Sequence, residues 1–189
     1  GATSQTACPA GNYTSSTGQS GCPTCTAGYY CLGAADRTIC AAGNYGSTTG
    51  LSTSACSGQC TAGYYCTAGS TSATQNVCGY AKYCPSGSGS ASSCPTNSNT
   101  TSTSSGTALS SCLGNAGYYN CEDGTCDVAG QGYYSAALSN SRAQCDAGYY
   151  GSSTTNSVST CDGQCTAGYY CAAGSTSATA NVCGYAKYC

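Results

Sequence analysis

The 189-residue sequence contains no His, Phe, Trp or Met, and charged residues make up only 5% of it. Each absence excludes something. Without His, the commonest general base and partner of a nucleophile is missing, so hydrolytic chemistry of the usual kinds has no obvious machinery. Leu, Ile and Val together number ten, too few to build an ordinary core from large apolar side chains. The four basic residues, Arg37, Lys82, Arg142 and Lys187, are scattered along a chain of net charge −2. Such a chain offers no electrostatic footprint to nucleic acid or an anionic membrane. No apolar run approaches the roughly 18–20 residues needed to span a bilayer.

What the sequence has instead is 20 Cys, 27 Gly, 18 Tyr and 56 Ser or Thr. A cysteine content above 10% is the composition of a disulfide scaffold. Closing a loop of about 15 residues removes roughly 3 kcal/mol worth of freedom from the unfolded chain, so cross-links stand in for the missing core. Such bonds survive only in an oxidising compartment, which places the protein outside the cell, secreted or on a cell-surface appendage. The sequence opens at Gly1 with no charged-plus-apolar leader, so any signal peptide is expected to have been removed.

A long self-similarity organises the chain. Cys40–Cys84 aligns without gaps on Cys145–Cys189 at an offset of 105 residues, with 35 of 45 positions identical. Each copy holds the motif CxGQCTAGYYCxAGSTSATxNVCGYAKYC, and a shorter relative, CPTCTAGYYC, lies at Cys22–Cys31. The expected organisation is an N-terminal cysteine module at 1–39, repeat copy 1 at 40–84, a divergent Ser/Thr-rich module at 85–144 and repeat copy 2 at 145–189. Sustained helical periodicity is absent and glycine punctuates every segment, which argues against helices. Short β-hairpins centred on Tyr29-Tyr30, Tyr64-Tyr65, Tyr118-Tyr119, Tyr133-Tyr134, Tyr149-Tyr150 and Tyr169-Tyr170 fit better. Neighbouring strand residues face opposite ways, so one Tyr of each pair is expected to cover a disulfide and the other to face solvent or another chain. The preceding Gly allows the positive φ of a tight turn. The expected fold class is small and disulfide-rich: an elongated array of cysteine-stapled modules with short β-hairpins and little or no helix.

Spacing alone does not determine which cysteines pair. One 105-residue period holds ten of them, so each period can close on itself. Sequential pairing satisfies this: Cys8–Cys22, Cys25–Cys31, Cys40–Cys56, Cys60–Cys66, Cys78–Cys84, Cys94–Cys112, Cys121–Cys126, Cys145–Cys161, Cys165–Cys171 and Cys183–Cys189. A crossed arrangement, Cys60–Cys78 with Cys66–Cys84, satisfies it too.

The run Cys8-Pro9-Ala10-Gly11-Asn12-Tyr13, followed by a polar loop and by Cys22, Cys25 and Cys31, resembles the ephrin-receptor-like cysteine-rich repeats, themselves similar to tumour-necrosis-factor-receptor-type modules. Weaker copies start at Cys40 and Cys145. The resemblance covers roughly two thirds of the chain, and 85–144 departs from it. It implies an extracellular rod of consecutive small disulfide loops, of the kind found in receptors, surface antigens and the repetitive coat or appendage proteins of protists. It implies no catalytic residues.

Candidate chemistry is sparse. Glu122 and Asp123 with Asp127 form a loose acidic turn that lacks the ladder and closing Glu of a calcium loop. Only Cys22 and Cys25 have the C-x2-C spacing of a zinc site; Cys56/Cys60 and Cys161/Cys165 are looser. Glycosylation has the clearest signal. Asn12-Tyr13-Thr14 and Asn99-Thr100-Thr101 are N-linked acceptors, with Asn76-Val77-Cys78 and Asn181-Val182-Cys183 as minor ones. The run 96–111 is mucin-like, with Thr96, Thr100, Thr101, Thr103 and Thr107 as O-linked candidates, or else a plain linker. No cofactor is expected and no enzyme. Joined head to tail, Cys189 would meet the Cys8 of a following copy across seven residues. The reading that follows is a structural subunit of a glycosylated extracellular filament or surface coat, whose partners are copies of itself and covalently attached glycans. The other reading is a receptor or adhesin ectodomain that binds a protein or glycan.

Overall fold

A computed structural model describes residues 8–14, 21–33, 36–104, 106–185 and 187–189. Among them there is no α-helix, and the one helical turn is a 3-10 turn at Leu109–Ser111. The regular structure is otherwise a series of two-residue strands, each paired antiparallel with its sequence neighbour. The hairpins are β1 (Tyr29–Tyr30) with β2 (Thr38–Ile39), β3 (Asn44–Tyr45) with β4 (Gly58–Gln59), β5 (Tyr64–Tyr65) with β6 (Asn76–Val77), and β7 (Lys82–Tyr83) with β8 (Ser92–Ser93). They continue as β9 (Ser98–Asn99) with β10 (Leu113–Gly114), β11 (Tyr118–Tyr119) with β12 (Asp127–Val128), and β13 (Tyr133–Tyr134) with β14 (Ala143–Gln144). The last two are β15 (Tyr149–Tyr150) with β16 (Gly163–Gln164), and β17 (Tyr169–Tyr170) with β18 (Asn181–Val182). The first residue of a Tyr-Tyr strand faces a β-branched residue or Gln: Ile39, Val77, Val128, Gln144, Gln164 and Val182 in turn. A ring packed on a branched or long side chain is the favourable cross-strand pair.

The strands stay short because each is bounded by a turn and a bridge. The turn is the four residues after a cysteine, x-x-Gly-x, as in Thr61-Ala62-Gly63-Tyr64 after Cys60. Its first carbonyl accepts the amide three residues on: Tyr64 N donates to Thr61 O at 3.1 Å, and Tyr149 N to Asp146 O at 3.1 Å. The third turn residue lies in the left-handed region, with φ of 86° at Gly63 and 91° at Gly148, as a type II turn requires. That glycine then joins its module to the next with both backbone groups. Gly43 N–H donates to Cys66 O at 2.8 Å while Gly43 C=O accepts from Cys60 N at 2.9 Å. Gly63 repeats the pattern with Cys84 and Cys78, and Gly132 with Gly151 and Cys145.

Close approach adds a second reason for glycine. A Cβ on Gly11 would stand 2.6 Å from the carbonyl oxygen of Gly50, and one on Gly28 2.5 Å from that of Gly69. Gly43, Gly63 and Gly132 press in the same way on the carbonyls of Gly87, Ser104 and Gly174. Two turns use other residues, Ala81 (φ 53°) and Asn97 (φ 66°).

The core is made of cystine. Twelve of the thirteen buried hydrophobic residues among those described are cysteines, the other being Ala129, whereas Leu32, Val158 and Val182 are more than half exposed. All twenty cysteines are bridged, and the bridges run in sequential order from Cys8–Cys22 to Cys183–Cys189. In repeat copy 1 the structure therefore has Cys60–Cys66 and Cys78–Cys84 rather than the crossed pairs. The described chain forms two compact units, Gly1–Ser92 with Ser102–Ala108, and Ser93–Thr101 with Leu109–Cys189.

The divergent stretch is built on the same plan with one bridge removed. The segment Ala129-Gly130-Gln131-Gly132-Tyr133-Tyr134-Ser135 stands where other modules read Cys-Thr-Ala-Gly-Tyr-Tyr-Cys. Ala129 and Ser135 are buried, at 0% and 1% exposure, in the place of the cystine. The Ser135 hydroxyl makes the connection with its one proton, which lies between two backbone carbonyls, Tyr118 O at 2.8 Å and Ser141 O at 2.9 Å.

Two outcomes are expected. Gly63→Ala should cost more than Gly168→Ala. Both force a Cβ onto a left-handed residue, about 1–2 kcal/mol, but only at Gly63 does that Cβ meet a carbonyl; denaturant unfolding of the oxidised protein measures the difference. The pair Ala129→Cys with Ser135→Cys should close an eleventh bridge and raise stability by about 2 kcal/mol, and alkylation followed by intact mass should find no free thiol.

Candidate functional site

Repeat copies 1 and 2 share their bridges and their first two hairpins but not their surroundings. In copy 1 the residues that follow the repeat lie back against it. Cys60 O accepts from Gly87 N at 3.0 Å and from the Ser86 hydroxyl at 3.0 Å, and Cys66 N donates to Ser88 O at 3.0 Å. Gly79 N donates to Thr103 O at 2.7 Å and Cys84 N to Gly106 O at 2.8 Å. Among the described residues, the corresponding groups of copy 2, Cys165 O, Cys171 N, Gly184 N and Cys189 N, have no such partners. A cavity of about 490 Å³ lies there, lined by Gly148, Gln164, Cys165, Ala167, Tyr169 and Cys171 among others. Gly63 and Cys84 are buried, whereas their counterparts Gly168 and Cys189 are exposed, as are Tyr185 and Tyr188.

The two arginines are tied to the tyrosines. Arg37 lies over the Tyr29 ring at 4.4 Å and the Tyr13 ring at 5.8 Å; Arg142 lies over Tyr133 at 4.4 Å and Tyr119 at 5.1 Å. Each also donates a hydrogen bond, Arg37 to the Thr26 hydroxyl at 3.2 Å and Arg142 to Ala129 O at 2.7 Å. Each guanidinium thus bridges rings of two successive modules by cation–π contact. A sequence signal for this exists: both arginines stand three residues before a repeat cysteine, Cys40 or Cys145. The tyrosine pairs are less divided than strand alternation suggests. In five of six pairs both rings are half-buried, and only Tyr170 is exposed.

Asp162 replaces the Ser57 of copy 1 at a turn. The Ser57 hydroxyl accepts from Ser47 N at 3.0 Å; Asp162 accepts from Ser152 N at 2.5 Å, Ser153 N at 2.7 Å and the Ser152 hydroxyl at 2.8 Å. Partial desolvation raises its pKa, but the donors on Ser153 and Ser152 outweigh that and hold the carboxyl below the usual range. The acidic turn is occupied by its own neighbours. Thr125 donates N–H and hydroxyl to Asp123 at 3.0 Å each, lowering its pKa, while Asn140 donates to Glu122 at 2.8 Å and Asn120 to Asp127 at 2.9 Å. Cys22 and Cys25 belong to different bridges. Among the described residues no three His, Cys, Asp or Glu side chains gather as a metal site, and no helix is long and apolar enough to cross a membrane.

The glycan acceptors fall into two groups. Asn12 and Asn99 are half-buried, and Asn99 Oδ1 accepts from Thr100 N at 2.8 Å. Thr96, Thr101, Thr103 and Thr107 are exposed; Thr100 is 2% exposed and is closed to a sugar in the folded protein. The 96–111 run is not a free linker. It is closed by Cys94–Cys112, holds β9 and the 3-10 turn, and accepts amides of the preceding repeat at Thr103 and Gly106. Its few apolar side chains do not prevent order, because backbone bonds and a bridge supply it.

No family model matches the chain, and no curated relative matches it either. The fold defines the class on its own: a disulfide-stapled protein of repeated hairpin modules, which needs an oxidising environment to keep its ten bridges.

The Asp162 turn makes a pH prediction. A carboxyl whose pKa is lowered by folding contributes stability at neutral pH that is lost as pH falls through its folded value. Below about pH 4, amide exchange at Ser152 and Ser153, corrected for intrinsic rate, should accelerate, while Ser47, held by a hydroxyl, should keep its protection.

Proposed function

We propose that this chain is a structural subunit of a glycosylated extracellular filament or surface coat, assembled through its cysteine-rich repeats. The observation that carries this reading is the way modules connect. A left-handed glycine donates to one following module segment and accepts from another, as Gly43 does with Cys66 and Cys60. A connection of that kind can be repeated without limit, as in other repeat architectures. The cystine core supports it, since it leaves the outer surface free to carry sugars and contact copies of the chain. Small uncharged side chains dominate that surface, and the exposed threonines Thr96, Thr101, Thr103 and Thr107 offer attachment points. A second reading, an adhesin or receptor ectodomain, draws support from the fully exposed rings of Tyr185 and Tyr188, which suit stacking on a sugar.

Electron microscopy of the oxidised full chain separates the two. The structural reading expects filaments or sheets with a regular repeat that disperse when the bridges are reduced, and a mass that falls on enzymatic deglycosylation. Monomers at every concentration, with saturable binding of one ligand, would establish the ectodomain reading in its place.

A further inference from the structure

We propose that the long loop of each repeat copy, residues 47–54 in copy 1 and 152–160 in copy 2, is an O-glycosylation site. The inference rests on the glycosylated part of the structural-subunit reading and names where the sugar is carried.

The loop is held at both ends and at its middle. Cys40–Cys56 closes it in copy 1 and Cys145–Cys161 in copy 2. Between the cysteines, Leu51 O accepts from Cys31 N at 2.9 Å, and Asn156 O accepts from Ser135 N at 2.9 Å. These bonds dock the same point of each loop on the module before it. The residues on either side are presented to water. Thr48, Thr49, Ser52, Thr53 and Ser54 are exposed, and among the described residues their hydroxyls have no hydrogen-bond partner. Thr154, Thr155 and Thr160 stand the same way in copy 2. Later hydroxyls of copy 1 are used by the fold instead. Ser70 donates to Thr67 O at 2.8 Å, and the Ser72 hydroxyl accepts from Thr74 N at 3.2 Å, each fixing a turn.

Composition and charge point to sugar as the use of the free hydroxyls. The two copies differ at ten of 45 aligned positions, and five of the ten fall within nine residues, 47–55 against 152–160. Ser or Thr still fills six of those nine positions in copy 1 and seven in copy 2. A modification that reads exposed hydroxyls, rather than one fixed motif, is compatible with such exchange. The surroundings are also nearly free of charge. Lys82 is the one charged residue between Arg37 and Glu122, whereas a soluble surface ordinarily carries about 25–35% charged side chains. Hydration here rests on neutral groups, and each sugar multiplies the hydroxyls that one Thr offers. Neither loop contains an Asn-x-Ser/Thr acceptor, so the link must be to oxygen. In that step the Thr Oγ attacks the anomeric carbon of a nucleoside-diphosphate sugar. A C–O bond forms, the bond to the diphosphate breaks, the hydroxyl proton passes to a base of the transferase, and nucleoside diphosphate leaves.

Peptide mapping of the native secreted protein tests this. After reduction and proteolysis, the peptides holding 47–54 and 152–160 should carry sugar, and alkaline β-elimination should release it and leave dehydrated Ser or Thr at those positions. A variant combining Thr48→Ala, Thr49→Ala, Ser52→Ala, Thr53→Ala and Ser54→Ala, secreted by the same cells, should lose all the sugar mass of the copy 1 loop and keep that of copy 2. Its thiols should all remain bridged, because these hydroxyls bond nothing in the fold. Bare loops on a chain that carries sugar elsewhere, such as at Asn99 or Thr101, would overturn the loop site while sparing the glycosylated reading. A native chain without sugar at any residue would overturn both.

Discussion

A left-handed residue three places after a cysteine governs the architecture. At that point the chain is fixed covalently by the cystine, turned by the positive φ, and bonded to later modules through both backbone groups of one residue. Gly43 and Gly63 do all of this at once, and the carbonyls of Gly87 and Ser104 press on the space where a side chain would stand. Two-residue strands follow from it. The strand begins at the turn and stops at the residue after the second strand position, Cys66 after Tyr65 and Gly46 after Tyr45, so the ladder stays two residues long. The hairpins are thus consequences of the turns and bridges rather than their cause.

A cystine core changes the relation between surface and interior. An ordinary domain of this length hides large apolar side chains and is constrained by how they pack. Here sulfur occupies the interior, and Leu32, Val158 and Val182 are left in solvent. Substitution of the outer residues is therefore only weakly opposed by packing, which suits a surface dominated by Ser, Thr, Gly and Ala. The interior tolerates the loss of a bridge only where something takes over its connections. Ser135 does this with one hydroxyl proton shared between two backbone carbonyls, beside a buried Ala129 small enough to close the gap. The arginines add a third kind of link, spanning rings of neighbouring modules where no bridge reaches.

Much of this was legible in the chain. The repeat, the hairpins at the tyrosine pairs, the near absence of helix and the need for oxidised cysteines all follow from composition and spacing. The 96–111 run was not legible, because its order comes from amides far away in sequence, on Gly79 and Cys84, and from closure by Cys94–Cys112. Thr100 shows the same limit. By sequence it stands among exposed threonines, yet it is 2% exposed, one residue beyond β9 and in phase with the buried Ser98.

Local chemistry by itself determined the kind of protein: cysteine frequency, glycine placement and the lack of large apolar residues leave no other way to hold a chain of this length together. Tertiary structure alone decided which cysteines meet, because sequential and crossed loops are equally compatible with the spacing. It alone also decided that the segment after repeat copy 1 lies back against it, through Gly87, Ser88, Thr103 and Gly106. Identical residues carry identical turns, but the donors that reach the carbonyl of Cys60, the Gly87 amide and the Ser86 hydroxyl, come from beyond the next bridge, and the turn sequence does not encode where that segment lies.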